Sequence, residues 1–105
     1  MSESISTSQL NDALGSNTPP LVFDVRKKPA FDSDPRTIKC AEWKIHDAVT
    51  TWASEVPQDS QVVVYCVHGH EVSQSAARTL RDLGFDSFFL KGGIAEWIKD
   101  GYEVS

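Results

Sequence analysis

The chain alternates short apolar runs with polar segments in which apolar residues recur at helical spacing. Residues 21–25, "LVFDV", and residues 61–66, "QVVVYC", are nearly unbroken apolar runs. Such runs are typical of strands that are buried on both faces of a parallel sheet. The run "SFFL" at residues 87–90 predicts a further strand, and "IAEWIKD" at residues 94–100 predicts a short last helix.

Local signals place several helix ends. Ser6 and Gln9 form a capping box in front of a first short helix that ends at Gly15. A helix is predicted for residues 47–55, with Asp47 as its N-cap, and another for residues 73–83. The polar segment at residues 27–36, "KKPAFDSDPR", is expected to be irregular, with one helical turn.

Strands that alternate with helices in such short units predict an α/β fold. We expect a small three-layer sandwich, in which a central parallel sheet of about five strands is flanked by helices. Residues 1–105 are expected to form a single domain, with residues 1–17 as a short N-terminal capping segment. Ligands in such folds bind beyond the carboxyl ends of the strands, which is where Cys66 falls.

Composition and charge exclude several kinds of partner and cofactor. The net charge of −5 and the pI near 5.0 leave no basic surface for a nucleic acid or an anionic membrane. No apolar run is long enough to span a bilayer, and the first residues do not resemble a signal peptide. We therefore expect a cytoplasmic monomer in which Cys40 and Cys66 are free thiols. No glycine-rich phosphate-binding pattern is present, so no cofactor is predicted.

Cys66 lies between the most apolar strand and a predicted helix that starts at Ser73. Free N–H groups of the intervening loop and of the first helical turn favour a thiolate and bind anions. A thiolate in such a position is suited to attack on an electrophilic sulfur, phosphorus or arsenic atom. The alternative is that Cys66 is only a small buried hydrophobic residue.

The polar residues after Cys66 have two interpretations. His68, His70 and Glu71 could bind a metal together with Cys66, but four ligands within one short loop do not match the usual zinc patterns, so no metal is predicted. The histidines either line the mouth of the site and donate hydrogen bonds or simply face solvent. Glu71 disfavours an anionic substrate unless it points away from the thiolate, and the alternative is that it holds the loop by bonding its amides.

Several segments resemble the rhodanese homology domain over roughly residues 18–104. They are "VFDVR", the strand that ends in Cys66, the helix "SAARTLRDLGF" and the final "FLKGGIAEWIKDGYEV". The resemblance implies a thiosulfate sulfurtransferase-like enzyme that carries sulfane sulfur as a persulfide on Cys66. The donor would be thiosulfate or another persulfide, and the acceptor cyanide or a small-molecule or protein thiol. The implied substrate-binding loop is Val67, His68, Gly69, His70, Glu71, Val72 and Ser73, with Asp24 and Arg26 in supporting roles.

Two departures from this family pattern matter. The loop is one residue longer than in sulfurtransferases, and Glu71 stands at the fifth position after Cys66, as in the related cell-cycle phosphatases and arsenate reductases. Those enzymes then have an arginine that grips the oxyanion, whereas this chain has Val72. A sulfurtransferase is therefore favoured over a phosphatase or arsenate reductase, and a non-catalytic partner-binding module is the other alternative.

The missing arginine leaves the binding of an anionic donor to other groups. Arg36, Lys91 or a protonated histidine are the candidates that the sequence offers.

The second departure is "RTIKCAEW" at residues 36–43, where the family usually has a tight turn. Cys40 in this segment is expected to be a passive, half-buried residue, with a second sulfur acceptor or resolving thiol as the alternative.

Overall fold

The computed structural model describes residues 3–105, so the first two residues of the predicted capping segment lie outside the described residues. A five-stranded sheet with the order β1-β5-β4-β2-β3 forms the centre, and every neighbouring pair is parallel. The predicted α/β fold with a central parallel sheet is confirmed. The strands are β1 (Ser4–Ile5), β2 (Leu21–Asp24), β3 (Glu42–Trp43), β4 (Gln61–Tyr65) and β5 (Asp86–Leu90); the helices are α1 (Thr7–Leu14), α2 (Lys28–Ser33), α3 (Val49–Trp52), α4 (Glu71–Asp82) and α5 (Gly93–Lys99).

The alternation of side chains along β4 builds a core on each face of the sheet. Val62 and Val64 point to one face, where they pack with α3 and α4. Val63 and Tyr65 point to the other face, where they pack with Leu10 of α1 and with α5. Because β4 is covered on both faces, its sequence is apolar throughout, and the helices form the two outer layers of the predicted sandwich.

The position of β4 decides where its carboxyl end emerges. It lies between β2 and β5, with Tyr65 in register with Asp24 and Val64 in register with Phe89. Cys66 therefore leaves the sheet beside the chain that follows β2. No helix within residues 3–105 combines the length and the apolar character needed to cross a bilayer.

Several element boundaries differ from the predictions. Helix α4 begins at Glu71 rather than at Ser73, and its N-cap, His70, makes no side-chain capping bond that the sequence could have announced. Asp47 is not an N-cap: Ala48 takes that position, and α3 continues as a 3-10 turn at Ala53–Glu55. The segment predicted to be largely irregular contains the six-residue helix α2, with Pro in its first turn.

Candidate active site

Two helices and a strand hold Cys66 in place. The residue follows β4 directly, and its thiol Sγ lies 3.1 Å from the hydroxyl Oγ of Ser73, which is fully buried in the first turns of α4. Its carbonyl oxygen accepts a hydrogen bond of 3.0 Å from the N–H of Ile94 in α5. Cys66 is only 6% exposed, so its sulfur is recessed below the protein surface.

The loop after Cys66 packs so closely on the start of α5 that glycine is required there. Gly93 has φ 64°, and a Cβ on it would lie 2.4 Å from the carbonyl oxygens of Cys66 and Val67. Gly69 has φ 72°, and a Cβ on it would lie 2.7 Å from the backbone nitrogen of Gly92. Both positions combine a left-handed backbone with a close backbone approach, which only glycine accommodates.

The loop leaves its own amides available to a ligand. Within residues 3–105, none of the backbone N–H groups from Val67 to Ser73 donates a hydrogen bond to another group. Carbonyl groups of the loop are held instead, since the Gln74 side-chain amide donates to the oxygen of Gly69 at 3.0 Å. A run of N–H groups without protein acceptors, next to a helix N-terminus, is suited to binding an anion.

A cleft of about 280 Å³ opens over Cys66. Most of the predicted loop residues line it, whereas Gly69 lines the groove on the other side of the loop and Ser73 lies beneath Cys66. The remaining walls come from the chain that follows β2. The complete lining is Arg26, Lys27, Ala30, Cys66, Val67, His68, His70, Glu71 and Val72.

Arg26 and Asp24 form a buried brace under this cleft. The guanidinium Nη2 lies 2.6 Å from Asp24 Oδ2, and Nε lies 2.9 Å from the same oxygen. Arg26 also donates to the backbone oxygens of Asp34 and Arg36, at 2.8 and 2.9 Å, and is only 3% exposed. Its hydrogen-bonding groups are committed to the protein, so it is positioned to shape the cleft wall and not to grip an oxyanion.

Lys27 is a cation of the Cys66 cleft that the sequence analysis did not name. Lys27 lines the cleft and forms no ion pair with any residue from 3 to 105. Arg36 lies elsewhere on the surface with Asp34, and its side-chain hydrogen bond lowers the pKa of Asp34 to about 2. Lys91 lines a groove of about 650 Å³ on the far side of the loop. The sequence signal was limited to the position of Lys27 just after the carboxyl end of a predicted strand, because the pairing of that strand with β4 is known only from the structure.

His68 and His70 line both the Cys66 cleft and the groove beyond the loop, with their ring centroids 6.0 Å apart. Within residues 3–105, no three His, Cys, Asp or Glu side chains are grouped as metal ligands would be. The Glu71 carboxylate makes no hydrogen bond to another described residue, so the loop-holding role predicted for it is taken by Gln74.

Cys40 lies away from this site. It precedes β3 at the amino-terminal edge of the sheet, whereas Cys66 follows β4 at the carboxyl edge. The prediction that Cys40 is half-buried is wrong: the residue is exposed, has φ 68° and lines a separate groove of about 580 Å³. The chain turns sharply there, which brings the side chain to the surface.

The family of the chain follows from comparison with known proteins. The family model described as "Rhodanese-like domain" matches residues 6–100, so the chain belongs to the rhodanese-like domain family. The "adenylyltransferase and sulfurtransferase UBA4" of Yarrowia lipolytica is 34% identical over 88 residues. That match covers 80% of this chain but only 21% of the relative.

Solved structures share the fold. A rhodanese-related protein of Thermoplasma volcanium superposes with a TM-score of 0.83 at 26% identity, covering 98% of this chain and 97% of that one. A thiosulfate sulfurtransferase of Pseudomonas aeruginosa gives the same TM-score at 20% identity, over 100% of this chain and 19% of its own length. At that identity the second comparison supports the fold alone.

Proposed function

We propose that the chain is a sulfurtransferase that carries sulfane sulfur as a persulfide on Cys66. The observation that carries the proposal is the pairing of a recessed thiol with a loop whose N–H groups, from Val67 to Ser73, have no acceptor within residues 3–105. The loop amides and the Ser73 hydroxyl stabilise negative charge on the sulfur, both as a thiolate and as a persulfide. The sulfurtransferase name of the UBA4 relative agrees with this assignment.

The reaction proceeds in two displacement steps. The Cys66 thiolate attacks the outer sulfur of thiosulfate, the sulfur–sulfur bond breaks, and sulfite leaves with the electron pair. The product is a Cys66 persulfide anion. An acceptor thiolate or cyanide then attacks the outer sulfur of that persulfide, takes the sulfur atom and regenerates the Cys66 thiolate. With a persulfide as the donor, a thiolate leaves in place of sulfite.

Phosphatase or arsenate reductase activity is less compatible with the same cleft. Such chemistry needs a guanidinium that grips the oxyanion at two points. Val72 occupies the position where those enzymes place it, and the arginine that lines the cleft, Arg26, is bound to Asp24 and to backbone oxygens. A persulfide is stabilised by N–H groups and a hydroxyl without an arginine.

The test is intact-mass spectrometry after brief exposure to thiosulfate or to a small persulfide. The chain offers a matched control, because Cys40 is the exposed cysteine and Cys66 the recessed one. We expect one added sulfur atom that cyanide removes, retained in Cys40→Ser and absent in Cys66→Ser. The serine variant keeps the size of the side chain, so its fold is checked by circular dichroism.

Other outcomes would contradict the proposal. Sulfur uptake that persists in Cys66→Ser and disappears in Cys40→Ser would assign the reaction to the wrong cysteine. A protein that takes up sulfur from neither donor would instead support the partner-binding module that the fold also allows.

A further inference from the structure

Two opposite charges stand at the mouth of the Cys66 cleft. Lys27 lies between β2 and α2, and Glu71 is the first residue of α4. Both side chains are exposed, and both also line the adjoining groove of about 440 Å³ along α3 and α4. They therefore mark the boundary between the two cavities, with Cys66 on the inner side.

Neither charge takes part in an ion pair with another described residue. The ion pairs within residues 3–105 join Asp24 to Arg26, Lys28 to Asp32, Arg36 to Asp34 and Lys44 to Glu42, so neither Lys27 nor Glu71 takes part in one. The Asp24 and Arg26 charges cancel each other under the cleft. The cleft thus offers a ligand one cation and one anion on separate elements.

We infer that the preferred sulfur donor is a small zwitterionic persulfide, the persulfide of an amino acid such as cysteine. Its carboxylate would bind Lys27 and its ammonium group Glu71, while its outer sulfur enters the cleft toward Cys66. The inference rests on the proposed function and names the donor class for it. Thiosulfate would gain from Lys27 but would be repelled by Glu71, since like charges oppose binding.

The size and the walls of the cleft agree with a donor of this kind. About 280 Å³ lies below the usual range for pockets that enclose drug-sized ligands. Apolar side chains of Ala30, Val67 and Val72 line it together with Lys27, Glu71 and Cys66. An amino-acid persulfide offers complementary features: two opposite charges, a short apolar stem and a terminal sulfur.

The transfer step balances without a further reactant. The Cys66 thiolate attacks the outer sulfur of the protonated persulfide, R–S–S–H. The bond between the two donor sulfurs breaks, and R–S⁻ leaves with its electron pair. Cys66 becomes Cys66–S–S–H, so the charge is unchanged and one sulfur atom with its proton has moved.

Single-turnover kinetics with three donors test the inference. Cysteine persulfide carries both charges, N-acetylcysteine persulfide lacks the ammonium group, and cysteamine persulfide lacks the carboxylate. Sulfur uptake on Cys66 is followed by rapid quenching and intact-mass spectrometry, and each rate is divided by the rate of the same donor with a free thiol. The protein variants are Lys27→Gln and Glu71→Gln, with Lys28→Gln as the matched control, because Lys28 pairs with Asp32 and does not line the cleft.

We expect cysteine persulfide to react about tenfold faster than either singly charged donor, as for one charge-assisted hydrogen bond. The advantage over N-acetylcysteine persulfide should disappear in Glu71→Gln, and the advantage over cysteamine persulfide should disappear in Lys27→Gln. Both advantages should remain in Lys28→Gln. Comparing donors and variants in this way is a double-mutant cycle, which measures the interaction energy between one charged group of the donor and one side chain of the protein.

Two results would overturn the inference. Equal rates for the three donors would leave the sulfurtransferase proposal intact and remove the zwitterionic donor. Advantages that survive in Lys27→Gln and Glu71→Gln would assign the recognition to other groups. Failure of every donor and of thiosulfate to place sulfur on Cys66 would instead remove the proposed function itself.

Discussion

At the scale of single residues, Ser73 is the side chain best placed to act on the Cys66 sulfur. Its buried hydroxyl lies 3.1 Å from Sγ, and a hydrogen bond donated to a thiolate stabilises the charged form. We predict that Ser73→Ala slows sulfur uptake at neutral pH by about tenfold, the value of one hydrogen bond to a charged group. The measurements are the rate of sulfur uptake and the rate of Cys66 alkylation, both at neutral pH.

The rate of Cys66 alkylation at neutral pH separates this role from a structural one. In Ser73→Ala alkylation should slow together with sulfur uptake, and Ser73→Thr, which keeps the hydroxyl, should restore most of both rates. A lower free energy of unfolding with unchanged rates would mean that Ser73 only supports the packing of α4.

The buried pair of Asp24 and Arg26 contributes to stability rather than to the reaction. Both side chains are almost fully buried, at 0% and 3% exposure, and the arginine also holds two backbone oxygens. Arg26→Met should lower the free energy of unfolding by about 3–5 kcal/mol, because Asp24 is left buried without a partner. Urea titration measures this loss.

Arg36→Met is the matched control for that prediction. Arg36 pairs with Asp34 on the surface, with about half of each side chain exposed (53% and 44%). Its replacement should barely move the unfolding midpoint, since solvent screens such pairs. The double variant Asp24→Leu/Arg26→Met should regain part of the free energy of unfolding that Arg26→Met loses. An equal loss in Arg26→Met and Arg36→Met would contradict the stabilising role of the Asp24–Arg26 pair.

At the scale of elements, long and strongly patterned segments were the predictable ones. The apolar run of β4 and the capping box of Ser6 and Gln9 gave strand and helix positions that the structure confirms. Strands β1 and β3 have only two residues each and carry no periodicity; they exist because β5 and β2 offer them backbone partners. The start of α4 was missed because its apolar face begins at Ala76, so the predicted start at Ser73 falls two residues into the helix.

The contact between the cysteine loop and α5 gives a prediction at this scale. Gly93→Ala combines a left-handed backbone with a Cβ placed 2.4 Å from two carbonyl oxygens. Gly101→Ala is the matched control, because Gly101 has φ 87° but an added Cβ would meet nothing within 4 Å. The control should cost about 1–2 kcal/mol for the backbone alone. Gly93→Ala should cost at least about 2 kcal/mol more.

Urea unfolding and the rate of Cys66 alkylation check the glycine prediction together. The alkylation rate should change in Gly93→Ala and not in Gly101→Ala, because only the former displaces the loop. Equal costs in the two variants would mean that the loop and α5 separate easily.

At the scale of the whole molecule, the site exists because β2 and β4 are neighbours. That pairing brings Lys27 and Ala30 to the cleft, although they lie more than thirty positions before Cys66 in the chain. A local pattern does not show which strands pair, so Cys66 and its loop could be predicted, whereas Lys27 and Ala30 of the opposite wall could not. For the same reason Arg36 and Lys91 were chosen as cations in place of Lys27. Arg26 of the opposite wall was named only through the family resemblance.

The buried hydroxyl of Tyr65 makes the free energy of unfolding depend on pH in the alkaline range. The residue precedes Cys66, is fully buried, and its hydroxyl oxygen accepts from the N–H of Ile38 at 3.2 Å. Burial, followed by the charge of Asp24, raises the pKa of Tyr65. Above about pH 10 the unfolded chain releases the Tyr65 proton, whereas the folded state still keeps it. The free energy of unfolding therefore falls as the pH rises above this value.

We predict that Tyr65→Phe lowers the free energy of unfolding by about 1–3 kcal/mol at neutral pH, because the Ile38 N–H loses its acceptor. Above about pH 10 the gap between the parent and Tyr65→Phe should narrow, since only the parent must keep that proton. Urea titrations from neutral to alkaline pH measure it. Val22→Ala is the control, because it weakens the same core cluster without removing a titrating group, and its gap should stay constant. A constant gap for Tyr65→Phe as well would mean that the Tyr65 hydroxyl ionises equally readily in the folded and unfolded chains.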